Sequence, residues 1–171
     1  MNEKTSAFFR YLAYVIEIIL AFILGSAPKL MPELFGAKPC LLLCVCITIS
    51  IFEREIPSMI FGLVCGLLID LGYSYGVGMF TVALTLLCFV IGYAANNLIR
   101  ATFPYFILCS AAVTIAVFML YFLVNFVWQG YQDAFVYFKA HLISRIVQTI
   151  VFSVGFYFLN RFIYRTLSEE A

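Results

Sequence analysis

The chain has 171 residues, of which 65% are hydrophobic and only 11% are charged. A soluble domain of this size could not stay in solution with so much apolar surface, so the composition predicts an integral membrane protein with no soluble domain or long linker. The formal net charge is +1, which argues against nucleic-acid binding, because that function requires a concentrated basic stripe.

Apolar runs predict the helices in chain order, since a bilayer core of about 30 Å needs about twenty residues of helix. Arg10 and Glu17 alone interrupt the first run, two central runs contain no charged residue, and Arg145 and Arg161 alone interrupt the last run. The sequence therefore predicts an all-α integral membrane protein, a six-helix bundle that forms a single transmembrane domain over residues 1–171. The approximate spans are 7–24, 35–52, 56–75, 78–98, 105–127 and 142–162.

The second and third runs leave an alternative open. Each is short for a full crossing, and a charged turn at residues 53–55 separates them. They can form two spans, with Pro39 and Pro57 near the helix starts. They can also form a short or re-entrant hairpin that the other helices cover. Both arrangements keep the two termini on the same side of the membrane.

Lysine and arginine residues in short loops predict the orientation, because such loops stay in the cytoplasm. In the six-span arrangement, more of these residues lie on the side of the N-terminus than opposite. We therefore expect both termini in the cytoplasm. The basic residues on the terminal side are Lys4, Arg10, Arg54, Arg100, Arg161 and Arg165, and those opposite are Lys29, Lys38 and Lys139.

Four residues in the third run share a strict four-residue spacing: Ser58, Gly62, Gly66 and Asp70. On a helix these residues lie on one face, which we call the small-residue stripe. The Gly-x-x-x-Gly pair allows another helix to approach closely, and an acid inside an apolar segment marks a candidate site. The stripe is therefore predicted to bind a partner or to dock another helix.

A polar cluster is predicted near the extracytoplasmic interface. Asp70 and Asn125 lie near the outer ends of outward-running spans, and His141, Arg145 and Gln148 share a face at the start of the last span. An ion pair between Asp70 and Arg145 is geometrically possible. It would fix the packing of the third and sixth helices, or the cluster would line a groove for a partner's transmembrane helix, or it would bind a small molecule.

Other polar residues and the cysteines suggest no chemistry. Glu17 lies mid-span and is expected to make a hydrogen bond between helices or to face a cavity. Asn96 and Asn97 are predicted to form the solvated end of the fourth span. The six cysteines fall inside apolar runs, where a thiol packs as a small hydrophobe.

Motifs for catalysis and metal binding are missing from the sequence. It contains no His-Glu-x-x-His, no glycine-rich phosphate loop, no Gly-x-Ser-x-Gly and no second histidine. An intramembrane aspartyl enzyme needs two paired acids, whereas Glu17 and Asp70 lie on different spans. We therefore predict no catalytic residue, no metal ligand, no cofactor and no enzymatic activity.

One segment resembles a known family. The sequence Phe-Gly-Leu-Val-Cys-Gly-Leu-Leu-Ile-Asp-Leu at residues 61–71, the Gly76-Val77-Gly78 turn, and the apolar run to Gly92-Tyr93 and Arg100 resemble the bacterial rod shape-determining MreD family. The resemblance is most specific over residues 53–92. The order of elements is also similar, from a first helix through a proline-marked second run to a charged turn.

The resemblance implies a six-helix fold similar to the substrate-binding subunits of energy-coupling-factor transporters. It also implies a non-catalytic scaffold of the cell-elongation complex, in the bacterial cytoplasmic membrane, that supports side-wall peptidoglycan synthesis. The expected partner is MreC, with MreB, the SEDS glycosyltransferase and its class B penicillin-binding protein nearby, and a homo-oligomer is possible. The alternative function is that of a vitamin-type transporter subunit, although the first helix lacks the Ala-x-x-x-Ala step expected of one.

Overall fold

The computed structural model of the chain describes residues 3–26, 38–73, 78–97, 102–123 and 142–169. Within that part of the chain there are six helices and no strand, which confirms the predicted all-α class. The helices are α1 (Glu3–Ser26), α2 (Leu41–Phe52), α3 (Glu55–Tyr73), α4 (Met79–Asn97), α5 (Phe103–Phe122) and α6 (Ile143–Glu169).

Five of these helices are long and apolar enough to cross a membrane, and α2 is the exception. Its 12 residues rise about 18 Å, which is less than the thickness of a bilayer core. Residues 41–51 are all buried, and α2 packs against each of the other five described helices. A helix that is apolar all round is expected in such a position. Within the described residues α2 begins at Leu41, later than the predicted start of the second span at residue 35.

The bundle has two ends that matter for the candidate sites. At one end, the start of α1 meets the turn between α2 and α3, the end of α4 and the end of α6. We call this the terminal end. At the opposite end, the start of α2 and the end of α3 lie near the starts of α4 and α6 and the end of α5.

The outward faces of the long helices carry large apolar side chains, as the surface of a multi-pass membrane protein does. The inward faces form one hydrophobic core around α2. Examples of exposed apolar residues, one from each long helix, are Leu20, Leu71, Val90, Leu108 and Val151.

Candidate functional site

The small-residue stripe on α3 faces α4. A Cβ atom built on Gly66 would lie 2.5 Å from the Cα of Thr81, and one built on Gly62 would lie 2.9 Å from the carbonyl oxygen of Leu84. A real Cβ atom does not approach a backbone that closely, so α3 and α4 can pack at this distance only with glycine at both positions.

A matching row of residues on α4 runs in the opposite direction to the stripe. A Cβ atom on Gly92 would lie 2.8 Å from Oγ of Ser58, so the close contact continues to the terminal end. The close approach that Gly-x-x-x-Gly predicts is therefore made to a helix of the same chain. Binding of a partner by this face stays a prediction. In order along the stripe, the contacting residues of α4 are Gly92, Cys88, Leu84, Thr81 and Phe80.

The Asp70 carboxylate accepts hydrogen bonds from the first turn of α4. Its Oδ1 accepts a hydrogen bond from the backbone N–H of Phe80 at 3.2 Å, and its Oδ2 accepts bonds from the N–H and the hydroxyl of Thr81 at 2.9 and 2.6 Å. The first N–H groups of a helix have no partner within the helix, and its N-terminus carries a partial positive charge. Gly78, at φ +96°, provides the left-handed backbone that leads into α4. The buried carboxylate therefore has a structural role.

Three residues of the predicted polar cluster lie within the described part of the chain: Asp70, Arg145 and Gln148. The guanidinium of Arg145 lies 5.3 Å from the centre of the Phe118 ring, and Nε2 of Gln148 donates to Oγ of Ser144 at 3.2 Å. Arg145 also lines a cavity of 60 Å³ together with Ile69 and Phe80. Ile69 precedes Asp70 in the chain, and the backbone N–H of Phe80 donates a hydrogen bond to the Asp70 carboxylate. Thus Asp70 and Arg145 lie at the same end of the bundle, as predicted. The other two members of the predicted cluster lie outside the described residues; they are Asn125 and His141.

A polar network in the core joins three helices. Nδ2 of Asn160 on α6 donates to Oε1 of Glu17 on α1 at 2.9 Å and to Oγ1 of Thr48 on α2 at 3.0 Å. All three side chains are buried. The hydrogen bond between helices that was predicted for Glu17 is confirmed. The sequence analysis missed Asn160, although an amide in the middle of an apolar helix was a visible signal.

A second polar group, which the sequence analysis also missed, lies at the terminal end. Nε of Arg10 lies 2.6 Å from Oε1 of Glu53, and Nη2 of Arg10 donates to Oε2 at 3.3 Å. The Arg10 guanidinium lies over the rings of Tyr11 and Tyr164, at 5.6 and 5.2 Å from their centres. Burial raises the pKa of the Glu53 carboxyl, and the Arg10 guanidinium opposes that rise. Asn96 is exposed, as predicted, but its amide also donates to the carbonyl oxygen of Glu53.

The sequence profile of the family described as rod shape-determining protein MreD matches residues 6–165 of the 171. The chain belongs to the MreD family. Comparisons with curated proteins and with solved structures gave no match. The resemblance predicted from residues 53–92 is confirmed, and MreD membership carries a role in rod shape determination. The MreD family is one of structural membrane proteins and is not known for enzymatic activity.

The segment that carries the MreD resemblance corresponds to the α3–α4 pair. Residues 61–71 contain both stripe glycines and Asp70, and Gly92 lies against Ser58 at the other end of the same contact. The residues on which the resemblance was based therefore include those that bring these two helices together.

Five of the six cysteines of this MreD chain pack in the interior, and Cys109 is half-buried. Cys40, Cys44, Cys46, Cys65 and Cys88 are buried free thiols, and Sγ of Cys46 lies 2.9 Å from Sγ of Cys88. Among the described residues, no three His, Cys, Asp or Glu side chains are grouped so that they could hold a metal ion.

Proposed function

We propose that this chain is a non-catalytic scaffold subunit of the cell-elongation complex that binds MreC and thereby supports side-wall peptidoglycan synthesis. The observation that carries the proposal is the family match, which extends from α1 to α6. In this proposal the protein lies in the bacterial cytoplasmic membrane with both termini in the cytoplasm. MreB, the SEDS glycosyltransferase and its class B penicillin-binding protein bind the chain directly or through other members of the complex. The proposal also allows the chain to pair with a second copy of itself.

The roles of the buried acids support a scaffold. Asp70 is bonded to the first turn of α4, and Glu17 is bonded to Asn160 of α6. Each carboxylate thus fixes one helix against another. Such bonds give the bundle a defined outer surface, which is what a docking protein must present to its partner.

We place the MreC contact at the outer end of α3, on its lipid-facing side. The stripe side of α3 packs against α4, so in this proposal the stripe docks α4 and the partner helix approaches α3 from the opposite side. Leu71, next to Asp70, is 81% exposed, and Leu67 one turn earlier is also exposed. Arg145 of the predicted polar cluster lies at this same end of the bundle, where polar groups of the partner would meet it.

Photo-crosslinking can test this contact in membranes in which the chain is produced together with MreC. A photoreactive residue is placed at Leu71 and, as matched controls, at one lipid-exposed position on each of the other long helices. We expect a crosslink to MreC from Leu71 and none from the controls. If only a control position crosslinks to MreC, the contact lies on that helix and not on α3. A lack of crosslinks at every position, together with a lack of co-purification, would contradict the scaffold function. The control positions are Leu20, Val90, Leu108 and Val151.

A further inference from the structure

A cavity with a mainly polar lining lies at the terminal end of the bundle. Its volume is 410 Å³, and it is open to the exterior. Side chains from five helices and from the turn between α2 and α3 line it, so its shape depends on the folded bundle. The polar lining residues are Arg10, Tyr11, Glu53, Arg54, Asn96 and Tyr164.

The buried part of this cavity lining, formed around Glu53 and Arg10, is held in place by its contacts and carries no net charge. The side chain of Glu53 is only 4% exposed, and its ion pair with Arg10 neutralises both charges. Tyr11 and Tyr164 lie against the Arg10 guanidinium, and Asn96 is bonded to the Glu53 backbone. A ligand therefore meets a preorganised surface, and little ordering is required when it binds.

The remaining charge of the lining is that of Arg54. This residue lies between α2 and α3, is exposed, and forms no ion pair with a carboxylate among the described residues. The net charge of the lining is accordingly positive. The planar guanidinium of arginine binds phosphate through two parallel hydrogen bonds, which favours a phosphate-bearing anion as the ligand.

The surroundings of the cavity indicate that this phosphate belongs to a lipid. Pro57 is part of the lining, and the neighbouring Ile56 is 63% exposed on the outer, apolar surface of α3. Phe8, just before Arg10 on α1, is also exposed. Tyrosine side chains such as Tyr11 and Tyr164 are typical of the level at which lipid headgroups lie.

We infer that the cavity at the terminal end binds the phosphate of an anionic phospholipid headgroup, with Arg54 as the main contact and the acyl chains on the adjacent apolar surface. Basic pockets between transmembrane helices are known to accept anionic headgroups in this way. The site lies at the opposite end of the bundle from the proposed MreC contact, so the two proposals can fail separately.

Native mass spectrometry of the purified full chain, titrated with phosphatidylglycerol or phosphatidylcholine, tests the inference. We expect phosphatidylglycerol to bind more tightly, and Arg54→Gln to weaken its binding about fivefold, the effect of one basic residue near an anionic lipid. Arg54→Lys should retain most of the affinity because the charge remains. Arg165→Gln is the matched control, since Arg165 is exposed on α6 but does not line the cavity, and it should leave binding unchanged.

Three results would overturn the inference. The first is equal binding of the two lipids, and the second is an Arg54→Gln variant that binds phosphatidylglycerol as the Arg165→Gln variant does. The third comes from a parallel titration with glycerol phosphate, which carries the same phosphate without acyl chains. If glycerol phosphate alone binds as tightly as phosphatidylglycerol, the ligand is a soluble phosphate ester and not a lipid.

Discussion

Asp70 shows how a membrane protein can accommodate an acid that would be costly on its own. Burying an unpaired carboxylate is unfavourable, but three donors from the start of α4 surround this one. The backbone donors among them would themselves be unsatisfied at the start of a helix. One side chain thus satisfies several buried polar groups, and the acid that marks the family segment has a structural use.

Removal of the Asp70 carboxylate should destabilise the protein. We expect Asp70→Ala to lower the free energy of unfolding by about 2 kcal/mol, the upper part of the range for loss of a helix-capping side chain. Denaturant unfolding in detergent micelles would measure the loss. Hydrogen exchange should show faster exchange at the amides of Phe80 and Thr81, which the carboxylate binds.

Asp70→Asn is the matched control for that experiment, because it keeps one acceptor oxygen in a side chain of the same size. It should lose less stability than Asp70→Ala. If both variants unfold as the wild type does, the bonds to α4 do not contribute to stability.

At the scale of the helices, some glycines are required for close helix packing and others are not. Gly66 has the backbone of α4 against it, whereas a Cβ atom added to Gly155 on α6 would meet no neighbouring group within 4 Å. Both residues lie in apolar helices, and hydropathy does not distinguish them. The four-residue spacing with Ser58 and Asp70 is what singled out Gly66.

These two glycines form a matched pair for substitution. Gly66→Ala should lower the free energy of unfolding by about 1–3 kcal/mol, because the new Cβ meets backbone atoms that cannot rotate away. Gly155→Ala should raise stability by up to about 1 kcal/mol, because alanine favours the helix and nothing obstructs it. Thermal unfolding of the two variants side by side gives the comparison. Equal effects would mean that α3 and α4 separate easily at this contact.

The Arg10–Glu53 pair links α1 to the turn between α2 and α3, and a double-mutant cycle can measure this link. Arg10→Gln or Glu53→Gln alone leaves a largely buried charge without its partner, and each should cost up to about 3 kcal/mol of unfolding free energy. The double variant should be more stable than the sum of the single losses predicts. Strictly additive losses would show that the pair contributes no coupling.

For the whole molecule, the apolar runs predicted most helices, but they did not predict whether lipid or protein surrounds each helix. The predicted span 78–98 and the observed helix α4 (Met79–Asn97) agree to within one residue at each end. The second run is different, because α2 is short and central rather than a full span. A run that is apolar on all sides gives no periodicity, so it cannot show whether lipid or protein surrounds the helix.

Contacts between distant segments were the least predictable part of the candidate site. The spacing of the stripe correctly placed its residues on one face, but it did not say which helix would cover that face. The partners of Asp70 are mostly backbone N–H groups, which every residue but proline possesses. The partner of Glu17 is Asn160, which lies 143 residues later. Only the fold brings such groups together.

The network around Asn160 holds α1, α2 and α6 together, so it provides a test of the whole bundle. Asn160→Leu removes the donor to Glu17 and Thr48, and we expect it to cost about 2–3 kcal/mol of unfolding free energy, since buried polar groups lose their bond. Combining it with Glu17→Leu removes both partners, and the double variant should be more stable than Asn160→Leu alone because the acid no longer needs a donor. Denaturant unfolding of Asn160→Leu, Glu17→Leu and the double variant decides this. If the double variant is the least stable, the two side chains contribute through packing and the hydrogen bond between them is not what stabilises the core.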